Sequence, residues 1–211
     1  HAKDSRLEGH SARRMKAGVI SVQGAAPEHL GAFDRAFSSL GLKGRAVTVR
    51  RPQDLEGVSC LAIPGGESTT ISKLLQRFDL FDRIIRLAED GMPILGTCAG
   101  LVLLAKEGDE EVERTGTRLL GLMDMSVDRN AFGRQRESFE ADISIRGLGA
   151  PFPAVFIRGP VIRRVWGDCQ ALAEYEDKII MARQGNLVAT SFHPELSDDL
   201  RVHQMILRMA R

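Results

Sequence analysis

The sequence predicts an α/β fold in three layers, α/β/α, with a mostly parallel central sheet and added antiparallel strands. From Met15 onward, short apolar runs alternate with segments of helical apolar spacing. That pattern gives right-handed βαβ crossovers, which cover both faces of a parallel sheet. After Gly121 the segments become short, turn-rich and alternating, as antiparallel strands are. The stretch Pro93-Ile94-Leu95-Gly96-Thr97-Cys98-Ala99-Gly100-Leu101 reads as strand, sharp turn and helix, with a cysteine at the turn. In a sheet of this kind a site is expected at the carboxyl ends of the strands.

A chain of 211 residues is long enough for one α/β domain with a sizeable core. Hydrophobic residues make up 43% and charged ones 27%, with a net charge of +1. This balance gives a nucleic-acid role no support. No apolar run approaches the roughly 20 residues of a membrane span, and no secretory signal opens the sequence. Three widely spaced cysteines, Cys60, Cys98 and Cys169, suggest neither a disulfide framework nor a metal site and fit a reducing cytoplasm. Residues 1–14 are polar and aperiodic, and are expected to be an expression-vector tail ahead of a single domain over 15–211. They carry a net +2, which leaves −1 for the rest, so the slight basicity of the chain says nothing about partners.

Taken in order, residues 17–22 predict a buried strand, and 28–40 a helix with Leu30, Phe33, Phe37 and Leu40 on one face, closed by Gly41. Strands follow at 46–49 and 58–63, the latter running into Pro64-Gly65-Gly66-Glu67-Ser68. One or two helices are expected over 69–88, with Ser68 as their cap. The cysteine strand starts at Pro93, and its helix is expected to reach about Lys106. Segments 139–145 and 154–157 read as antiparallel strands, whereas 161–166 is a short segment of no fixed assignment. Segments 178–184 and 187–192 form a hairpin turning at Gly185-Asn186. A last helix spans about 198–211, capped by Ser197 or Asp198.

The spacing Gly96-x-Cys98-x-Gly100 has the form of a nucleophile elbow, where flanking glycines leave room for a strained turn. A thiol at a helix start is stabilised as thiolate by unpaired N–H groups and the helix dipole. The plainer alternative is a small buried hydrophobe. A reactive cysteine needs a base, and the base an orienting partner. His193-Pro194-Glu195 follows an apolar strand, so a parallel sheet would deliver it to the same edge as Cys98. Residues two apart in extended chain point the same way, so the imidazole and carboxylate can face Cys98 together. Taken alone, that tripeptide is more often a surface turn. Gly65-Gly66 lets the backbone approach a ligand closely, and the N–H groups of Gly66 and Ala99 are the candidate oxyanion donors. The alternative there is a tight strand-to-helix turn without a ligand.

Gly96-Thr97-Cys98-Ala99-Gly100 with His193-Pro194-Glu195 resembles the class I (triad) glutamine amidotransferases, whose domain is flavodoxin-like. Several further stretches resemble the glutaminase subunit of pyridoxal 5′-phosphate synthase, the PdxT family. They are Gly18-Val19 to Val22-Gln23-Gly24-Ala25 with Glu28-His29, Pro64-Gly65-Gly66-Glu67-Ser68-Thr69-Thr70, and Phe156-Ile157-Arg158. Arg129-Asn130-Ala131-Phe132-Gly133-Arg134-Gln135 with Glu137-Ser138-Phe139-Glu140, and Ser191 to Leu196, complete the set. The Arg-Asn-x-Phe-Gly-Arg-Gln run is the most specific of these.

The resemblance implies hydrolysis of L-glutamine to glutamate and ammonia, with ammonia passed to a synthase subunit of the PdxS family in a hetero-oligomer. It implies Cys98 as nucleophile, His193 as general base and then acid, and Glu195 as orienter. Gly66, Glu67, Ser68, Arg129, Ile157 and Arg158 would line the glutamine site. The arginines suit the α-carboxylate and Glu67 the α-ammonium. No metal or bound cofactor is implied, and pyridoxal phosphate is the product of the complex. One departure is Gly159, where the family pattern leads us to expect alanine. A glutaminase for another synthase, or a partner-binding protein without turnover, are the alternative readings. His29 is expected to cap or meet an interface, and His203 to lie on a solvated helix face. Arg134, Arg136 and Arg146 form a candidate surface for the synthase.

Overall fold

The computed structural model of the protein describes residues 14–23, 26–129 and 138–211. The first half is the expected alternation: β1 (Met15–Ile20), α1 (Ala26–Leu40), β2 (Gly44–Val49), β3 (Cys60–Ile63), α2 (Ser68–Arg77), α3 (Phe81–Glu89) and β4 (Ile94–Thr97). β1, β2, β3 and β4 pair in parallel, with β1 between β2 and β3. The helix after β4, α4 (Ala99–Leu104), is only six residues long. The chain then enters β5 (Ala105–Glu107), followed by α5 (Glu110–Arg114) and β6 (Met123–Asp128). The expected run of helix to Lys106 is therefore corrected: residues 105–107 are drawn into parallel pairing with β6.

The second half is strand-rich, as expected. β7 (Phe139–Ile143) and β8 (Phe152–Phe156) form a separate antiparallel pair. β9 (Val161–Val165), β10 (Gln170–Tyr175), β11 (Lys178–Gln184) and β12 (Leu187–Thr190) join the main sheet. β9 is the segment that periodicity could not assign; it pairs β6 and β11. The β11–β12 hairpin turns at residues 185–186, where Gly185 has φ 58, in the left-handed region that glycine tolerates. The path across the sheet is β2-β1-β3-β4-β12-β11-β9-β6-β5, with β10 on β11.

Strand residues alternate between two cores. Leu61, Ile63 and Ile94 point to a cluster with Ile71 and Leu75 of α2, Phe81 and Ile84 of α3, and all the leucines of α4. Ala62 and Leu95 point to the opposite cluster with Phe33 and Phe37 of α1 and the α6 (Arg201–Met209) residues Val202, Ile206 and Leu207. Each such fully buried Leu, Ile, Val or Phe side chain contributes about 1.5–3 kcal/mol relative to exposure. A sheet covered on both faces needs apolar residues at nearly every strand position, and β3, β4 and β12 are buried throughout.

Both expected helix caps are corrected. Glu67, not Ser68, caps α2: its carboxylate accepts from the N–H groups of Thr69 and Thr70. At α6 neither Ser197 nor Asp198 caps the helix. The Asp199 carboxylate accepts from the Arg201 N–H at 3.1 Å and also holds its guanidinium, which displaces the helix start to Arg201. Among the described residues no helix is long and apolar enough to cross a membrane. The expected tail falls almost wholly outside the described residues, as do Gly24, Ala25 and the run 130–137, including Arg134 and Arg136. Arg146 is exposed.

Candidate active site

β4 and β12 are parallel neighbours, with Thr97 opposite Thr190. The residues that leave their carboxyl ends therefore emerge side by side, and these are Cys98 and 191–195. The Cys98 N–H donates to the Thr190 carbonyl at 2.9 Å, which ties the turn to the neighbouring strand. Cys98 adopts φ 55, ψ −105 immediately before α4. For a residue with a Cβ that conformation stores about 1–3 kcal/mol of strain. The strain is held by packing on both sides. A Cβ at Gly100 would lie 2.0 Å from the Ile63 carbonyl oxygen, and one at Gly96 2.6 Å from the Gly100 carbonyl. Gly100→Ala is expected to push α4 off β3 and destabilise the chain by about 3 kcal/mol, read as a lower urea midpoint at unchanged slope. An unchanged midpoint would show that the elbow does not depend on this close approach.

His193 enters a 3-10 turn, Pro194–Leu196, and its N–H donates to the Val155 carbonyl of β8 at 2.8 Å. The imidazole Nδ1 meets Glu195 Oε1 at 2.5 Å, which leaves Nε2 for another partner. Both residues are buried, Glu195 at 3% exposure and His193 at 7%. Burial works against an imidazolium at His193, but hydrogen bonds to Cys98 and Glu195 and their negative charges outweigh it, raising its pKa to about 10. Gly65 closes the site from β3. A Cβ there would meet His193 Cε1 at 2.9 Å and Cys98 Cβ at 3.5 Å, so only glycine leaves the imidazole its place.

Gly66 has φ 142, which glycine alone adopts without strain. The N–H of Glu67 donates to Gln23 Oε1 at 2.9 Å, fixing this loop against the end of β1. The Glu67 carboxylate, besides capping α2, accepts from the Thr70 hydroxyl and pairs with the Arg129 guanidinium at 2.7 Å. Its pKa falls to about 2: partial burial opposes ionisation, but the Thr70 and Thr69 hydrogen bonds and the Arg129 charge prevail. Arg129 also donates to the Thr69 hydroxyl, and its backbone N–H donates to Asp109 Oδ2 at 2.7 Å. Ile157 and Arg158 are exposed just past the end of β8, with Arg158 at φ 42. A Cβ at Gly159 would come within 2.8 Å of the Ser191 carbonyl, so the departure noted at Gly159 matches a close backbone approach here.

The structure thus brings Cys98, His193 and Glu195 into one chain of contacts, and Glu67 to Arg129. Gln23, Asp109 and Thr69 were given no role by sequence reasoning. Gln23 and Thr69 stood within the resembling stretches, whereas the part of Asp109 shows only in its long-range contact with Arg129. His203, expected on a solvated face, is fully buried, and His29, expected to cap a helix or meet an interface, is instead fully buried against Thr97 and His203. Cys60 and Cys169 are buried, and burial raises their thiols to about 12 and about 11, the latter with help from Asp124. Among the described residues no three His, Cys, Asp or Glu side chains are grouped to hold a metal ion.

A mostly parallel sheet with a strained cysteine turn beside a His-Pro-Glu strand end is the architecture of a glutamine amidotransferase domain. The chain belongs to the SNO glutamine amidotransferase family, whose profile it matches over residues 19–211. It is 50% identical over 195 residues to the pyridoxal 5′-phosphate synthase subunit PdxT of Archaeoglobus fulgidus, covering 92% of this chain and 98% of that one. A similar match, 50% over 193 residues and 92% and 97% of the two chains, is to PdxT of Methanosarcina acetivorans. A crystal structure described as a glutamine amidotransferase superposes with a TM-score of 0.81 at 42% identity, over 92% of this chain and 98% of that one.

Proposed function

We propose that this chain is the glutaminase subunit of a pyridoxal 5′-phosphate synthase, hydrolysing L-glutamine at Cys98 and passing ammonia to a PdxS-type synthase subunit. The observation that carries the reading is the buried His193 imidazole, bonded to Glu195 and set beside Cys98 at the ends of adjacent parallel strands. Near-complete coverage of the PdxT relatives supports the partner. The absence of a membrane-crossing helix among the described residues is compatible with a cytoplasmic place.

Cys98 thiolate attacks the carboxamide carbon, forming a C–S bond and a tetrahedral oxyanion. N–H groups of Gly66 and Ala99 hold that oxygen, each such donor contributing about 3 kcal/mol in comparable sites. As the C–N bond breaks, the His193 imidazolium gives its proton to the departing ammonia. Its raised pKa keeps that proton available at neutral pH. The now neutral imidazole takes a proton from water, which attacks the thioester and releases glutamate, restoring thiolate and imidazolium.

Glu67, Arg129, Ser68, Ile157 and Arg158 form the reading's substrate-binding set. Glu67 lies between the α2 N-terminus and Arg129, so its carboxylate is held ionised and oriented for an α-ammonium. Arg129→Ala is expected to raise KM for glutamine about tenfold to a hundredfold with a smaller change in kcat, because a charge-assisted contact is lost and Glu67 loses its partner. An unchanged KM would remove Arg129 from the binding set. The whole reading is tested by ammonia release from glutamine with and without the synthase subunit. Release that rises with the synthase is expected, whereas release indifferent to it would retain the glutaminase and reject the partner. No release in either condition would favour a partner-binding protein without turnover.

A further inference from the structure

Two buried histidines stand behind Glu195, and the chemistry above uses neither. His29 on α1 and His203 on α6 are both fully buried. His29 Nε2 is 3.0 Å from Thr97 Oγ1 and 3.2 Å from Glu195 Oε2. His29 Nδ1 is 3.0 Å from His203 Nε2. Glu195 gives Oε1 to His193, and its Oε2 has no directed hydrogen bond, only the close approach of His29. At the far end, His203 Nδ1 is buried without a partner, and the His203 ring meets Phe33 edge-on at 4.8 Å. The charged and titratable groups bearing on the pair are Glu195 and His193 beyond Thr97, and Arg35 beside His203.

Burial, with His203 and His193 nearby, holds His29 well below its ordinary pKa, and burial with Arg35 holds His203 at about 3. Both rings are therefore neutral near pH 7, with one ring proton each. Suppose the His29 proton sits on Nδ1 and donates to His203. The bare Nε2 of His29 then faces a buried carboxylate oxygen, and His203 must carry its proton on Nδ1, a buried donor with no acceptor. With both protons on Nε2, His203 donates to His29, and the His29 N–H lies against Thr97 Oγ1 and Glu195 Oε2. The one atom left unpaired is then a bare nitrogen. The second arrangement avoids both a lone pair against a carboxylate and an orphaned donor, the two costlier faults.

We propose that His203 fixes His29 in its Nε2–H tautomer, and that His29 so held is a positioning residue that steadies the Glu195 carboxylate against His193. This rests on the glutaminase reading for its effect on rate, but the tautomer itself does not. The first test is ¹⁵N NMR of the histidine rings in the whole chain. A protonated Nε2 and bare Nδ1 on both His29 and His203 are expected, and a proton on His29 Nδ1 overturns the proposal whatever the activity. The second is steady-state glutamine hydrolysis in the presence of the synthase subunit. His29→Leu is expected to lower kcat about tenfold to a hundredfold at nearly constant KM. His29→Gln, which keeps an N–H of similar reach, should restore most of the rate. Unchanged kinetics in His29→Leu, or a loss that His29→Gln does not restore, overturns the positioning role. A wild-type chain that releases no ammonia would instead overturn the glutaminase reading, and the ring protons would still decide this one.

Discussion

Replacing Cys98 with alanine lowers kcat for glutamine hydrolysis by about 10⁴-fold or more, because loss of a covalent nucleophile forfeits the whole two-step route. The expected result is no thioester on mass spectrometry and ammonia release near the uncatalysed level, with glutamine still bound through Glu67 and Arg129. The Cys98→Ala chain should keep its fold. Alanine has the same Cβ and accepts the same φ 55 turn, enforced by the 2.9 Å Cys98 N–H to Thr190 bond rather than by the sulfur. Cys98-independent release at the wild-type rate would place the chemistry elsewhere in the chain.

Replacing Glu195 with glutamine has the next largest effect, a fall in kcat of about 10³–10⁴-fold. The amide removes the charge that, with Cys98, supports the imidazolium against burial, and it leaves His193 free to adopt the wrong ring proton. The pH dependence of stability follows from the same pair. A folded pKa of about 10 against an ordinary 6.5 means that the His193 interactions stabilise the fold fully below about pH 6.5. That contribution is lost as pH rises through about 10, because the folded form holds a proton the unfolded chain has released. Urea midpoints should therefore decline from pH 6.5 to pH 10 in the wild-type chain, and decline less in Glu195→Gln. Parallel slopes in the two chains would mean that Glu195 does not support the charge.

Much of this was legible from residue order. Alternating apolar runs announced the sheet, and Gly-x-Cys-x-Gly announced the turn, because only glycine leaves room where Gly100 meets Ile63. Register-free reasoning also put Cys98 and His193 at one sheet edge, since parallel strands share their carboxyl ends. Local spacing misled where a distant partner decided the outcome. Residues 105–107 looked helical until β6 offered pairing, and Ser68 looked like a cap until Glu67, oriented by Arg129 from 62 residues away, took that place. His203 looked solvated because helical periodicity marks a face but does not say what packs against it.

The sequence by itself determined the strand-turn-helix at Cys98, the alternation of helices and strands up to β4, and the residue types available for acyl transfer, all of which follow from local sterics and period. The tertiary structure alone decided which of those residues meet. The pairing of β4 with β12 sets His193 beside Cys98. Packing of α1 and α6 on one face of the sheet brings His29 and His203 under Glu195. Such contacts depend on burial and charge compensation between segments as many as 174 residues apart, a free energy that local spacing does not encode.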